Sequence, residues 1–155
     1  MPEATGTDPR SEARQRWMGV LARAGTDALE AAWAGLAVRP GYRMLRPPET
    51  GLVMVRGRTG GTGRDFNLGE MSATRCAVQF EDGVIGIGYV AGRSARHAEL
   101  AAAFDAMLQC DDWREEVKET VIAPLAQAER ARRDTERAGT ESSRVEFFTM
   151  VRGED

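Results

Sequence analysis

Arginine and glycine set the chemistry open to this chain. Residues 48–64 read P-E-T-G-L-V-M-V-R-G-R-T-G-G-T-G-R, a short apolar run leading into a glycine-rich turn. Between Arg39 and Arg64 stand six arginines and one acid, Glu49, although the whole chain carries a net charge of −3. Guanidinium forks bind phosphate and carboxylate bidentately, and the amides of a glycine turn can reach an anion. The candidate anion ligands here are Arg56, Arg58, Gly60, Gly61, Gly63 and Arg64. The competing reading of the glycines is a hairpin connection that needs positive φ angles. No Gly-Lys-Ser/Thr follows, so the turn is not a nucleoside-triphosphate-binding loop of that type. A strand rather than a helix is expected after it, which excludes a dinucleotide-binding fingerprint.

A second group lies at residues 93–97. Ser94 opens an expected helix, with His97 in its first turn, beside Arg93 and Arg96. Helix starts present free N–H groups and a positive dipole end, so Arg93, Arg96 and His97 are candidate phosphate contacts, with His97 a candidate acid or base. The alternative is a buried histidine that packs its ring. It is the chain's one histidine, and no nucleophile or carboxylate is paired with it in the sequence, which argues against catalysis by this chain alone. Glu49 reads either as a ligand-facing acid or as a turn residue after Pro47-Pro48. Cys76 and Cys110 form no C-x-x-C pair, and no His/Cys cluster has metal-ligand spacing. The expectation is two free thiols and no metal or cofactor bound by this chain alone.

The elements that must position these residues follow from periodicity. Residues 11–24 read as a helix through Trp17, Val20, Leu21 and Ala24. Gly25 closes it, and Thr26 or Asp27 caps a second helix carrying Leu29, Trp33 and Leu36. A β region follows: residues 42–46, stopped by Pro47-Pro48; residues 51–57; a strand within 66–80; a tight turn at Glu81-Asp82-Gly83; and residues 84–91. Gly86 and Gly88 in the last of these allow close approach of another element. An alanine-rich helix then runs from Ser94 to about Cys110, with His97, Leu100 or Ala101, Phe104, and Met107 or Leu108 in its buried stripe. Asp111 or Asp112 caps a helix to about Ile122, and Pro124 begins a thinly apolar helix to about Gly139. Residues 144–151, R-V-E-F-F-T-M-V, are extended and apolar. Phe147, Phe148, Met150 and Val151 are candidate interface residues, on a partner or a second copy; the alternative is a last strand on the chain's own sheet. The fold class expected is α+β: an antiparallel sheet of four to five strands with helices before and after it.

At 155 residues, with 42% hydrophobic and 29% charged residues, the chain is long enough for one core. Residues 1–10 are polar with two prolines and read as a disordered start; residues 11–155 read as a single domain. No run of about 18 apolar residues and no signal peptide is present, so a cytoplasmic protein without membrane contact is expected. An isoelectric point near 5.4 argues against general nucleic-acid binding. The basic residues are 20 arginines and Lys118, a bias that a GC-rich genome also produces.

Several segments, in order, resemble one family. They are R-Q-R-W-M at 14–18, E-T-G-L-V at 49–53, R-G-R-T-G-G-T-G-R at 56–64, T-R-C-A-V at 74–78, G-R-S-A-R-H-A-E at 92–99, I-A-P-L at 122–125 and S-R-V-E-F-F-T-M-V-R-G at 143–153. The sequence resembles the PhnG family, the small subunit of the bacterial carbon–phosphorus lyase core complex. The resemblance runs from about residue 14 to the last residues and leaves out the first ten.

That resemblance implies a place beside PhnH-, PhnI- and PhnJ-like subunits and an ATPase-like PhnL subunit, with self-association inside the assembly. It implies a first reaction in which an alkylphosphonate displaces adenine from MgATP, giving an α-D-ribose 1-alkylphosphonate 5-triphosphate. MgATP is then a substrate of the complex, while zinc and the iron–sulfur cluster with S-adenosylmethionine belong to partner subunits. The family offers no catalytic residue to carry over. An accessory subunit is therefore expected. The alternative is a chain that supplies Arg56, Arg64, Arg93 or His97 to a shared active site as phosphate ligands or acid/base groups. A free-standing nucleotide-binding module is weaker for want of a motif.

Overall fold

The computed structural model describes residues 8–142. Helix α1 spans Pro9–Arg23, two residues earlier than its apolar periodicity suggests. The reason is local: the Asp8 side chain accepts a hydrogen bond from the Arg10 N–H at 3.2 Å, and Pro9 takes the first helical position, where a missing N–H costs nothing. Helix α2 spans Thr26–Gly35 and has no side-chain cap. The Thr26 hydroxyl lies 3.4 Å from that of Ser94 instead.

The β region is one antiparallel sheet in the order β1-β2-β3, with β1 Tyr42–Arg58, β2 Asp65–Phe80 and β3 Ile85–Ala91. The sequence led us to expect four to five strands; among the described residues there are three. Pro47-Pro48 does not stop β1. The strand lies at the sheet edge, and its register against β2 shifts between Met44 and Arg46 and again between Arg46 and Glu49. Both shifts put surplus residues on β1, so the prolines sit where no ladder N–H is required. The remaining expected strand, residues 144–151, lies outside the described residues.

Helix α3, Ala95–Gln109, is the centre of the fold. Ser94 caps it, accepting from the His97 N–H at 3.1 Å. Nearly every residue from His97 to Leu108 is buried. The sheet covers one side, and α1, α2 and helix α4 (Asp111–Val117) pack around the rest. A π-helical turn, Lys118–Ile122, joins α4 to α5, Ala123–Ser142. There the Ala123 N–H reaches back five residues to the Lys118 carbonyl. The widened turn makes room for the Pro124 ring, so the chain passes through this proline rather than starting a new helix at it.

Two features hold α3 against the sheet. Gly86 and Gly88 face it, and a Cβ at either would fall 1.9 Å from the Ala102 carbonyl oxygen or 2.0 Å from that of Ala98. Ala98, Ala102 and Ala106 form the matching ridge, four residues apart. The second feature is Asp105, fully buried. Its carboxylate accepts from Arg14 Nε and Nη2 (3.2 and 2.7 Å), Trp17 Nε1 (2.8 Å), the Ile87 N–H (2.9 Å) and Gln109 Nε2 (3.2 Å). Gln109 also donates to the Ile85 carbonyl at 2.9 Å. One acid thus joins α1, α3 and the free edge of β3.

A smaller network joins α2, β1 and α3. Tyr42 donates to Glu99 Oε1 at 2.7 Å, and Arg96 bridges Glu99 and Glu30 at 3.0 and 3.3 Å. Burial, then the hydrogen bond and charge of Glu99, push the Tyr42 hydroxyl up to about 12. Trp33 packs edge-on against Tyr42 and Phe104, with centroids at 6.0 and 5.6 Å.

Two outcomes follow from these contacts. Asp105→Ala leaves the Arg14 guanidinium, the Trp17 N–H and the Ile87 N–H without their acceptor, and Gly88→Val drives a side chain into the α3 backbone. Urea unfolding should show each losing about 3 kcal/mol, while an exposed control such as Asp134→Ala stays within about 0.5 kcal/mol. The Tyr42 hydroxyl titrates higher folded than unfolded, so its contribution is complete below pH 10 and is lost as pH rises through about 12. Tyr42→Phe should therefore flatten the fall in stability between those two values; an unchanged profile would separate the network from folding.

Candidate functional site

The candidate residues fall on two separate parts of the molecule. β3 ends at Ala91, opposite Ala73, which pairs in turn with Gly51. Beyond that rung β1 and β2 continue alone as a two-stranded arm, ending at Arg58 opposite Asp65. The tip is a turn with φ of 60° at Gly60 and 81° at Gly61. Positive φ is what a residue with a Cβ avoids, which gives these two glycines their local reason. Gly63 is held for another: a Cβ would stand 2.6 Å from the Thr59 carbonyl oxygen, which accepts the Gly63 N–H at 2.8 Å.

The arginines of the block divide by partner. Arg58 pairs with Asp65 across the arm at 2.7 Å. Arg46 and Arg75 share Glu49 at 3.3 and 3.2 Å. Glu49 is thus a strand residue neutralised between two guanidinium groups, neither a turn residue nor a free acid. Arg43 donates to Gln79. Arg56 and Arg64 are exposed and make no ion pair among the described residues.

The second group sits where α3 begins. Its loop is fixed to the base of the arm by the Gly92 N–H on the Ser72 carbonyl (2.8 Å) and by the Thr74 hydroxyl on the Gly92 carbonyl (2.8 Å). Arg93 is exposed and has no ion pair among the described residues. Arg96 is held by Glu30 and Glu99. His97 is buried, and its Nε2 lies 2.8 Å from the Leu21 carbonyl oxygen. The ring thereby occupies one of the carbonyls that the end of α1 leaves unpaired, and joins α1 to α3. From Ser72, at the base, to Asp65, at the tip, the arm extends roughly 20 Å. The two arginine groups therefore do not converge within one chain.

Cys76 and Cys110 are free thiols. Burial, with the Glu99 charge, pushes Cys76 up to about 11, and burial with Asp82 does the same for Cys110. Both are protonated at neutral pH and poor nucleophiles.

What the sequence reading missed is apolar. Leu52 and Leu68 on the arm are 64% and 66% exposed, and Met54, Phe66 and Met71 are exposed as well. The outer face of β3 continues the surface with Ile85, Ile87 and Tyr89. Where this face meets the arm, Glu49, Val53, Ala73, Arg75 and Tyr89 line a depression of about 450 Å³. The signal was present in L-V-M-V: a run without alternation asks for cover on both faces of its strand. Phe147, Phe148, Met150 and Val151 lie outside the described residues.

Residues 12–153 match the family model described as phosphonate metabolism protein PhnG. The chain is also similar to the alpha-D-ribose 1-methylphosphonate 5-triphosphate synthase subunit PhnG of Rhizobium meliloti (strain 1021). The two are 44% identical over 154 residues, covering 97% of this chain and 96% of that protein. With the family model covering nearly the whole described fold, arm and α3 included, the chain belongs to the PhnG family of phosphonate metabolism proteins.

Proposed function

We propose that this chain is an accessory subunit of a carbon–phosphorus lyase core assembly. In this reading it supports formation of α-D-ribose 1-alkylphosphonate 5-triphosphate from MgATP and an alkylphosphonate, with release of adenine, in the catabolism of organic phosphonates. The observation that carries the reading is the arm. A two-stranded ribbon is marginal in water, and this one exposes large apolar side chains on both faces. Such a surface belongs in an interface, and the Rhizobium relative is named as a synthase subunit. The partners proposed are PhnI-, PhnH- and PhnJ-like subunits and a PhnL-like ATPase, with a second copy of this chain inside the assembly. Zinc, the iron–sulfur cluster and S-adenosylmethionine are assigned to those partners, and the assembly to the cytoplasm. No helix among the described residues is long and apolar enough to cross a membrane.

A second reading has its own observation. Arg56, Arg64 and Arg93 have no ion pair among the described residues, and exposed guanidinium forks suit a triphosphate or phosphonate. On this reading the arm tip, with its glycine amides, or the start of α3 lies beside the substrate once partners are in place. The same arginines also suit partner carboxylates.

Co-expression with the PhnI-like subunit tests both. The chain should co-purify with it; a well-behaved monomer that ignores it in size-exclusion chromatography would overturn the accessory reading. Leu52→Ser with Met54→Ser should release the chain from the complex and leave its helical circular dichroism intact. For the second reading, adenine release from MgATP and methylphosphonate is measured on complexes of unchanged subunit ratio. Arg64→Ala or Arg93→Ala should lower activity or raise the ATP requirement about tenfold, the usual scale for one hydrogen bond to a charged group. Wild-type turnover in both variants would remove the arginines from the substrate site.

A further inference from the structure

The arm leaves one edge of β2 open. β3 pairs with Ala73 to Gln79 and stops, and Gly92 takes the Ser72 carbonyl, so residues 65–71 of β2 bond to β1 alone among the described residues. The helical layer leads to the same end of the molecule. Cys110, at the end of α3, lies 3.6 Å from Asp82 in the β2–β3 turn, and α4 starts there. α4 packs on α3 and α5 on α1, and Glu129 of α5 reaches Arg23, at the end of α1, at 3.6 Å. His97 ties that end of α1 to the start of α3, beside Ser72 and the base of the arm. From Glu129 to Ser142 the helix continues roughly 20 Å further, about the reach of the arm itself. Residues 130–140 are exposed on every face.

We propose that residues 144–151 of this chain add as a third strand along the open edge of β2, in the same molecule. Three observations carry this assignment. Helix α5 passes Arg23, whose end of α1 is tied through His97 to the start of α3 at the base of the arm, before the segment begins. The eight residues R-V-E-F-F-T-M-V are long enough to run along the seven open positions 65–71. Their pattern fits both sides of the ribbon. Val145, Phe147, Thr149 and Val151 alternate onto one face, as Val53, Val55 and Met71 do on the arm. Phe148 and Met150 fall on the other face among Arg144 and Glu146, where the arm has Leu52 and Met54 with Arg56 and Glu70. β-branched and aromatic residues favour such a pleated surface, and a third strand brings the ribbon to the size that holds in water. This inference concerns the chain itself and does not depend on the accessory role proposed above.

Hydrogen exchange on the isolated full-length chain tests it, read by mass spectrometry on peptides covering 65–71. These amides should exchange at least tenfold more slowly than in a chain ending at Ser142, or than in Phe147→Ser with Phe148→Ser. Equal exchange in all three would overturn the proposal. A photo-reactive phenylalanine at position 147 gives a second readout that holds even where truncation harms folding. Cross-links should map to 65–71 within one molecule, established by mixing isotope-labelled and unlabelled chains. Cross-links between labelled and unlabelled chains would instead assign the edge to a second copy, and cross-links elsewhere would leave it to another partner; either overturns the assignment.

Discussion

The buried carboxylate of Asp105 is the contact on which the rest of the arrangement depends. An acid in the middle of an apolar helix is costly unless every oxygen lone pair finds a donor. Here the donors come from three directions: a bidentate guanidinium and an indole from α1, an amide from α3 itself and a backbone N–H from β3. Satisfying one charge therefore fixes the relative position of three elements. It also protects the sheet. The outward N–H of Ile87 and carbonyl of Ile85 would otherwise offer a pairing edge, and Asp105 and Gln109 occupy them.

That closure has a consequence at the other end of the sheet. Because α1 and α3 seal β3, pairing in this chain is left to the β1 edge and the arm. On β1 the prolines and surplus residues near its middle interrupt the ladder, a familiar defence of an edge strand. The arm has one further register shift, between Val55 and Arg56, and no proline. It carries Leu52, Met54, Phe66 and Leu68 into solvent, with only the Arg58–Asp65 pair and the glycine turn at its end. A fold that caps one edge with a buried carboxylate and leaves another bare and apolar is built to be completed there.

The parts of the fold legible in the sequence are those governed by local rules. The Ser94 cap, the tight turn before β3 and the helical run of Leu29 and Trp33 follow from residue type and spacing. Gly86 and Gly88 were readable as points of close approach, and the approach is by the alanine ridge of α3. Pro47-Pro48 misled because a proline pair forbids a ladder bond only where the ladder needs one, and whether a strand is an edge is not a local property. Asp105 was silent for the same reason: its donors lie on α1 and β3, far away in sequence. Of the candidate site, the glycine turn was legible as a positive-φ connection. His97 was legible as part of a buried stripe, but its bond to the Leu21 carbonyl and the neutralising of Arg96 by Glu30 and Glu99 required the packing of α1 and α2 to be known.

The division among the arginines carries the functional argument further than their number does. A basic bias spread over a surface acquires acids as it folds: Arg46 and Arg75 close on Glu49, Arg58 on Asp65, and Arg96 on two glutamates. These pairs are solvated, and each adds little to stability. They do, however, remove charge from the surface. Among those left without an acid, Arg56 and Arg64 stand on the arm and Arg93 at its base, along the stretch that is also bare of apolar cover. Partial burial of an arm by a partner would strengthen the field of any unpaired guanidinium beside it, since screening by water falls away with the exposed area. An apolar arm and uncompensated arginines on the same projection therefore describe one surface, apolar enough to dock and cationic enough to need an anion where it does.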